Sequence, residues 1–330
     1  MKIVFMGTPD FAVPTLEALL RGGHEVLAAV TQPDKPKGRG KAVLMPPVKE
    51  KALEHRIPVY QPVRIRKDDE FFERLKELNP DAIVVTAFGQ ILPERILNLP
   101  KYGCFNVHAS LLPKYRGAAP IQWAVINGDK ESGVTTMQMD IGMDTGDMLE
   151  RIVVPLDPKE TGGSLFDRLS QAGGDLILST LEKAANGTLV RTKQPEEGVS
   201  YAGMLDKALG KIDWTRSAEE IERLIRGLNP WPSAYTSYEG KTLKLWDADV
   251  IGKAVIGAAA ADAVRNGAAD PVSEPGVRPG SVVNVTKNGF CVQTGNGLLK
   301  INELQLEGKK RMDTASFLRG YPVAEGTVLG

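Results

Sequence analysis

The chain has few of the residues that mark several large protein classes. It carries only two cysteines, Cys104 and Cys291, in 330 residues. That leaves no disulfide framework and no zinc-type spacing, and points to a reducing, cytoplasmic setting. Charge of one sign is also missing: 41 Lys and Arg face 41 Asp and Glu. The protein as a whole is therefore no polycation, and contact with nucleic acid has to come from local basic patches. No uninterrupted apolar run approaches the ~20 residues that span a bilayer. Met1-Lys2-Ile3-Val4-Phe5 is too short for a signal peptide and reads as a first strand. Glycine is present, but not where a dinucleotide site needs it. Gly7-Thr8-Pro9-Asp10 has one glycine in place of G-x-G-x-x-G, and no G-x-x-x-x-G-K-[ST] occurs. A dehydrogenase would fit the strand pattern below but fails on these glycines.

What is present reads as alternating strands and helices. Lys2–Met6, Glu25–Thr31, Val59–Tyr60, Asp81–Thr86 and Cys104–His108 read as strands. Helical patterns cover about 11–20, 48–55 and 69–78. Such alternation predicts an α/β fold: a Rossmann-like, doubly wound, mostly parallel sheet. Ligands of such sheets bind beyond the carboxyl ends of the strands. A strand at Met148–Pro155 and a helix over 165–185, with Gly173-Gly174 inside it, close this domain at about residue 190. Residues 191–205 read as a linker by composition. From 206 to 330, Ser217-Ala218-Glu219-Glu220 opens a helix as a capping box. Five short strands follow, at Ala234–Tyr238, Lys241–Asp247, Ser281–Thr286, Phe290–Thr294 and Leu298–Leu306, with Asn288-Gly289 as a hairpin signal. That pattern predicts a small OB-like β-barrel domain. Residues 254–279, rich in Ala, Gly and Asp, read as a disordered insertion.

Three features carry chemistry. The first is the long connection 32–48, where a short loop is expected. Lys35, Lys37, Arg39 and Lys41 alternate there with Pro and Gly. A solvated loop and a phosphate-contacting loop are both open readings, because loops beyond ~12–15 residues are often functional. The second is Asn106-Val107-His108 at the end of a strand, where residues two apart share a face. His24 and His55, the other two histidines, sit in a turn and near a helix end and read as surface residues. The third is the run from Met139 to Asp147, with Asp140, Asp144 and Asp147 among glycines; turn-forming and catalytic readings both stand for Asp144.

Taken together, several motifs resemble the folate-dependent formyltransferases. They are Asn106-x-His108, Ser110-Leu111-Leu112-Pro113, Tyr115-Arg116-Gly117-Ala118-Ala119-Pro120 and Met139-Asp140-Ile141-Gly142-Met143-Asp144. Gly38-Arg39-Gly40-Lys41 and Asn229-Pro230-Trp231-Pro232 extend the likeness over nearly the whole chain; residues 254–279 are the main departure. The resemblance implies formyl transfer from 10-formyltetrahydrofolate, as donor substrate, to the α-amino group of methionine on aminoacylated initiator tRNA, with no metal. It implies Asn106 and His108 as donors to the oxyanion, and Asp144 as support for His108 and receiver of the amine proton. Phe88, Gly89, Ile91 and Leu92, with Ser110, Leu111, Leu112 and Pro113, would line the folate site. Lys37, Arg39 and Lys41 would reach the tRNA, and the barrel would hold its inner side. The expected partners are thus folate and tRNA, and the expected state is a monomer away from membranes. Another acceptor (glycinamide ribonucleotide, an amino sugar or water) and a non-catalytic tRNA-binding protein are the alternatives.

Overall fold

The fold is taken from a computed structural model, which describes residues 1–36, 43–251 and 276–330. The predicted disordered stretch 254–279 falls outside the described residues, except for its last four. The chain divides into two compact units. The first holds 1–121, 130–156 and 164–203, and the second 122–129, 157–163 and 204–330.

In the first unit the strands are β1 (Lys2–Gly7), β2 (Glu25–Val30), the short pair β3 (Lys35–Pro36) and β4 (Val43–Leu44), β5 (Val59–Tyr60), β6 (Ala82–Thr86), β7 (Cys104–His108), β8 (Arg116–Gly117), β9 (Glu131–Gln138), β10 (Met148–Pro155) and β11 (Tyr201–Ala202). The helices are α1 (Val13–Arg21), α2 (Pro47–Glu54), α3 (Asp69–Leu78), α4 (Glu94–Leu97), α5 (Pro120–Asn127) and α6 (Gly162–Asn186), the last two running across the division between the units. Seven strands form one sheet in the order β10-β9-β7-β6-β1-β2-β5. From β5 to β7 the pairing is parallel, and β9 and β10 add an antiparallel edge. β1 and β6 are apolar because they are central and covered on both faces.

Strand order reverses between β1 and β6: the chain moves outward one way through β2 and β5, then the other way through β6 and β7. The loops leaving β1 and β6 diverge there, which opens a crevice at the carboxyl edge. Gly7 is demanded by this crowding. A Cβ on it would lie 2.8 Å from Ala12 Cβ and 2.9 Å from the Thr86 carbonyl oxygen. Gly173-Gly174 does not break α6. A Cβ at these positions would meet Val107 Cγ1 at 2.7 Å and the Pro14 carbonyl oxygen at 2.9 Å, so the pair lets the helix lie close against β7 and α1.

Some elements escape the sequence pattern. β9 shows no apolar alternation, because both of its faces are buried and its threonines are satisfied internally. Thr135 Oγ1 donates to the Ser110 carbonyl at 2.7 Å, and Thr136 and Thr180 hydroxyls share a 2.8 Å bond. The predicted first helix starts as a single 3-10 turn at Asp10–Ala12, and α1 begins only at Val13, with Pro14 in its first turn.

The second unit holds α7 (Ala218–Gly227), β12 (Ala234–Tyr238), β13 (Lys241–Ile251), β14 (Val282–Thr286), β15 (Gly289–Gln293), β16 (Leu298–Leu306), β17 (Met312–Asp313) and α8 (Thr314–Gly320). Its antiparallel sheet runs β12-β13-β16-β15-β14, with β17 on β16. Trp214, Ile221, Ile225, Leu245, Val292, Leu304 and Phe317 share its core. The capping box is present: Ser217 Oγ accepts from Glu220 N–H at 3.2 Å, and the Glu220 carboxylate accepts from Ser217 N–H at 3.0 Å. The β14–β15 turn is Lys287-Asn288, one residue earlier than the Asn288-Gly289 signal, and Gly289 opens the strand opposite Thr286.

Candidate active site

The site is built on β7, between β6 and β9. Asn106 pairs with Val85 on one side and Met137 on the other, and His108 pairs with Thr135. Val107 faces α6, so alternation puts Asn106 and His108 together on the opposite face. Both are almost wholly buried, at 9% and 6% exposure. The His108 Nε2 lies 3.0 Å from the Tyr115 carbonyl oxygen. A carbonyl can only accept, so Nε2 carries the hydrogen. In the neutral ring, Nδ1 is then the free lone pair, and it lies 3.7 Å from Asp144 Oδ1.

Asp144 joins the two β7 side chains at one point. Asn106 Nδ2 lies 3.5 Å from the same Oδ1, while Oδ2 accepts from Gly117 N–H at 2.8 Å. One carboxylate oxygen is thus committed to holding the group in place, and the other faces the amide and the imidazole. Asp144 sits in left-handed backbone (φ 55°), as does Tyr115 (φ 59°). Outside glycine this conformation costs roughly 1–2 kcal/mol per residue, so both partners of His108 are held by their surroundings.

Two residues that the sequence reading did not place in the site do much of this holding. Gln194 Nε2 lies 2.8 Å from the main-chain carbonyls of both Asp144 and Gly146. Arg116 Nε and Nη2 donate to Gln194 Oε1 at 3.0 and 2.8 Å. Gln194 falls in the stretch read as a linker, where no motif marks it. Here that stretch crosses the first unit: Thr192 bridges Met148, and β11 pairs in parallel with β8.

The residues proposed to meet folate leave two neighbouring strands, β6 and β7, at the same edge. After β6, Ala87 and Gly89 take left-handed backbone (φ 48° and 83°). Phe88 and Leu92 are buried and Ile91 is half exposed. The backbone N–H groups of Gly89, Gln90, Ile91 and Leu92 have no acceptor among the described residues, so this loop offers an apolar wall with open donors. After β7, Ser110 and Leu112 serve the protein itself. Ser110 Oγ donates to the Lys114 carbonyl at 2.6 Å, and Leu112 is fully buried beside Met137 and Met148. Leu111 and Pro113 remain partly exposed. Lys37, Arg39 and Lys41 lie outside the described residues. The base of their loop is described: Lys49 Nζ bonds Asp34 Oδ2 at 2.7 Å, and the ammonium, with the Gln61 amide, holds the Asp34 carboxyl below the usual range. Burial pushes the Cys104 thiol up to about 12, which leaves it inert.

An amide, an imidazole and a carboxylate meeting at one strand end can supply an oxyanion donor and a proton acceptor without a covalent intermediate. Comparison with known proteins places the chain that carries these residues. The family described as "Formyl transferase" matches residues 1–181, and "Formyl transferase, C-terminal domain" matches 204–322.

The chain belongs to the formyl transferase family.

Relatives within the family extend the likeness over the entire chain. A methionyl-tRNA formyltransferase of Lachnospira eligens is 56% identical over 333 residues, covering 100% of both chains. One of Geobacter sulfurreducens is 49% identical, covering 100% of this chain and 97% of its own. Among solved structures, an N-formyltransferase from Helicobacter canadensis, in complex with folinic acid and dTDP-3-aminofucose, superposes with a TM-score of 0.64. It is 20% identical and covers 94% of this chain and 100% of that one. HypX from Aquifex aeolicus in complex with tetrahydrofolic acid gives a TM-score of 0.58 at 17% identity, over 96% of this chain and 47% of that one. At these identities the two structures speak for the fold alone.

Proposed function

We propose that this formyl transferase moves a formyl group from 10-formyltetrahydrofolate to the α-amino group of methionine esterified to initiator tRNA. The observation that carries this reading is the end-to-end likeness, at about half identity or better, to proteins named for that reaction. The meeting of Asn106, His108 and Asp144 at one strand end supports the chemistry.

An α-ammonium has a pKa of ~7.7–8.0, so a fraction is deprotonated near neutral pH and can attack the formyl carbon. As the new C–N bond forms, negative charge grows on the formyl oxygen and positive charge on the amine. Asn106 has a second amide N–H beyond the one aimed at Asp144, and donates it to the oxyanion. His108 takes the amine proton on Nδ1, because its Nε2–H is committed to the Tyr115 carbonyl. This reverses the sequence-based expectation that His108 acts first as an oxyanion donor; only the protonated ring has an Nδ1–H to give. Asp144 Oδ1, 3.7 Å away, stabilises that imidazolium. The proton then passes to the departing folate nitrogen as its bond to the formyl carbon breaks, and the ring returns to neutral. Donors on the 89–92 loop would bind the pterin edge, with Phe88 and Leu92 behind them. The basic loop bearing Lys37, Arg39 and Lys41 would contact tRNA phosphates.

The test is single-turnover transfer of labelled formyl from 10-formyltetrahydrofolate to charged initiator tRNA, uncharged tRNA, glycinamide ribonucleotide or water. Transfer to charged initiator tRNA alone is expected. Labelling of a small amine or release of formate would keep the chemistry and overturn the acceptor.

A further inference from the structure

The two ends of the basic insertion and the loop after β6 are joined by a hydrogen-bond network that no part of the proposed chemistry uses. The insertion, residues 32–48, carries Asp34 near its start, just before β3, and runs into α2, which carries Lys49. The 2.7 Å bond between Lys49 Nζ and Asp34 Oδ2 closes its base, with both side chains largely buried, at 17% and 26% exposure. Gln61, just past β5, lies at the centre. Its Oε1 accepts from Lys49 Nζ at 2.8 Å. Its Nε2 lies 2.8 Å from Asp34 Oδ1, 2.9 Å from the Gln32 carbonyl and 3.2 Å from Thr31 Oγ1. The Gln32 side chain continues the path: its Nε2 donates to the Phe88 carbonyl at 3.1 Å, and Thr8 Oγ1 donates to the same oxygen at 3.0 Å.

We propose that Gln61 is a positioning residue that fixes the base of the basic insertion and the Phe88–Leu92 loop in one register, so that capture of tRNA and capture of folate depend on the same amide. The inference rests on the reading that the insertion meets tRNA and the loop meets folate. Its physical basis is specific. Two hydrogens on Gln61 Nε2 are shared among three acceptors, while Oε1 shields the Lys49 ammonium. No apolar residue of that size can replace both ends. Losing the amide takes the 2.8 Å donor from Asp34 Oδ1 and leaves the Gln32 carbonyl with the Thr31 hydroxyl alone, at 2.9 Å, so the tie between the insertion base and the strand that carries Gln32 is cut. The Phe88 carbonyl keeps Thr8, so the donor loop shifts rather than collapses. Gln61 touches none of the reacting groups, and it acts on binding rather than on the chemical step.

The test compares wild type with Gln61→Met, which keeps size and removes the amide, and with Asp34→Asn, which weakens the insertion base but leaves Gln32 and Gln61 in place. Three quantities are read: KM for charged initiator tRNA, Kd for 5-formyltetrahydrofolate without tRNA, and the single-turnover rate at saturation. Loss of a partly buried hydrogen bond corresponds to about fivefold in binding. Gln61→Met is expected to raise both the tRNA KM and the folate Kd by about that factor, with the saturated rate within about twofold of wild type. Asp34→Asn is expected to raise the tRNA KM alone. A folate Kd unchanged in Gln61→Met would overturn the proposal, as would a saturated rate that falls with both binding constants intact. If Gln61→Met fails to fold, Gln32→Met, which cuts the path beside Phe88, is the deciding variant: it is expected to weaken folate, and no change in folate Kd would overturn the proposal. Failure of the underlying reading looks different, because wild type itself would then not bind folate or not transfer formyl to tRNA.

Discussion

Gln194 holds the main chain of Asp144. Its side-chain amide lies 2.8 Å from the Asp144 carbonyl oxygen and equally far from that of Gly146, and Arg116 fixes its other end. Asp144 keeps a left-handed backbone at an energetic cost, and Gln194 is one of the groups that makes this conformation the stable one. Gln194→Met removes both donations and leaves shape. We expect the single-turnover rate to fall about tenfold, the worth of one to two hydrogen bonds, with KM for tRNA and folate nearly unchanged. Gln194→Glu loses the same donors and places a carboxylate beside two carbonyls, so it should be worse than Met. An unchanged rate in both folded variants would detach Gln194 from the site.

His108 has no substitute in the described site. His108→Asn should lower the saturated rate by about a hundredfold or more, the range assigned to a positioned acid–base group. Folding should survive, because the asparagine amide can still reach toward the Tyr115 carbonyl or the Asp144 carboxylate. Single-turnover kinetics and a thermal melt decide the matter together. A folded variant with wild-type turnover would remove His108 from the mechanism.

How much of this was readable beforehand differs from residue to residue. The parallel sheet was legible because β1 and β6 are continuous apolar runs, and Asn106 and His108 because a period of two puts them on one face. β9 was not: its buried threonines look polar in sequence, and their partners, Ser110 and Thr180, come from elsewhere in the chain. Asp144 could not be separated from its neighbouring aspartates by pattern. In the fold Asp140 caps its own turn, accepting from Gly142 N–H and the Thr145 hydroxyl, while Asp144 alone reaches β7. Gln194 was invisible because its role is set by two backbone carbonyls 48 and 50 residues away, which no local motif encodes.

The basic loop makes an electrostatic prediction. If Lys37, Arg39 and Lys41 contact phosphates, tRNA affinity must fall linearly with salt on a logarithmic scale. Arg39→Ala should reduce that slope by about 0.7–0.9 and leave folate affinity untouched. Filter binding of charged initiator tRNA between low and physiological salt measures it. An unchanged slope would leave the loop without a phosphate contact.

Glu150 tests the balance of opposing effects inside the first unit. Burial raises its pKa, while hydrogen bonds from Lys183, Thr180 and Ser179 lower it, and the bonds win: the carboxyl lies below its usual value. A depressed carboxyl stabilises the fold at every pH above its unfolded value, and that contribution drains away as pH falls through the folded value. Glu150→Gln should therefore cost about 1–2 kcal/mol at neutral pH, with a gap to wild type that stays constant down to about pH 5 and closes only below about pH 4. Urea unfolding across this range reads the gap directly. Were burial the stronger effect, wild type would instead gain stability relative to Glu150→Gln as pH falls from about 6 to 5, above the ordinary carboxylate range. The three donors on α6 would then be doing less for Glu150 than its removal from water costs.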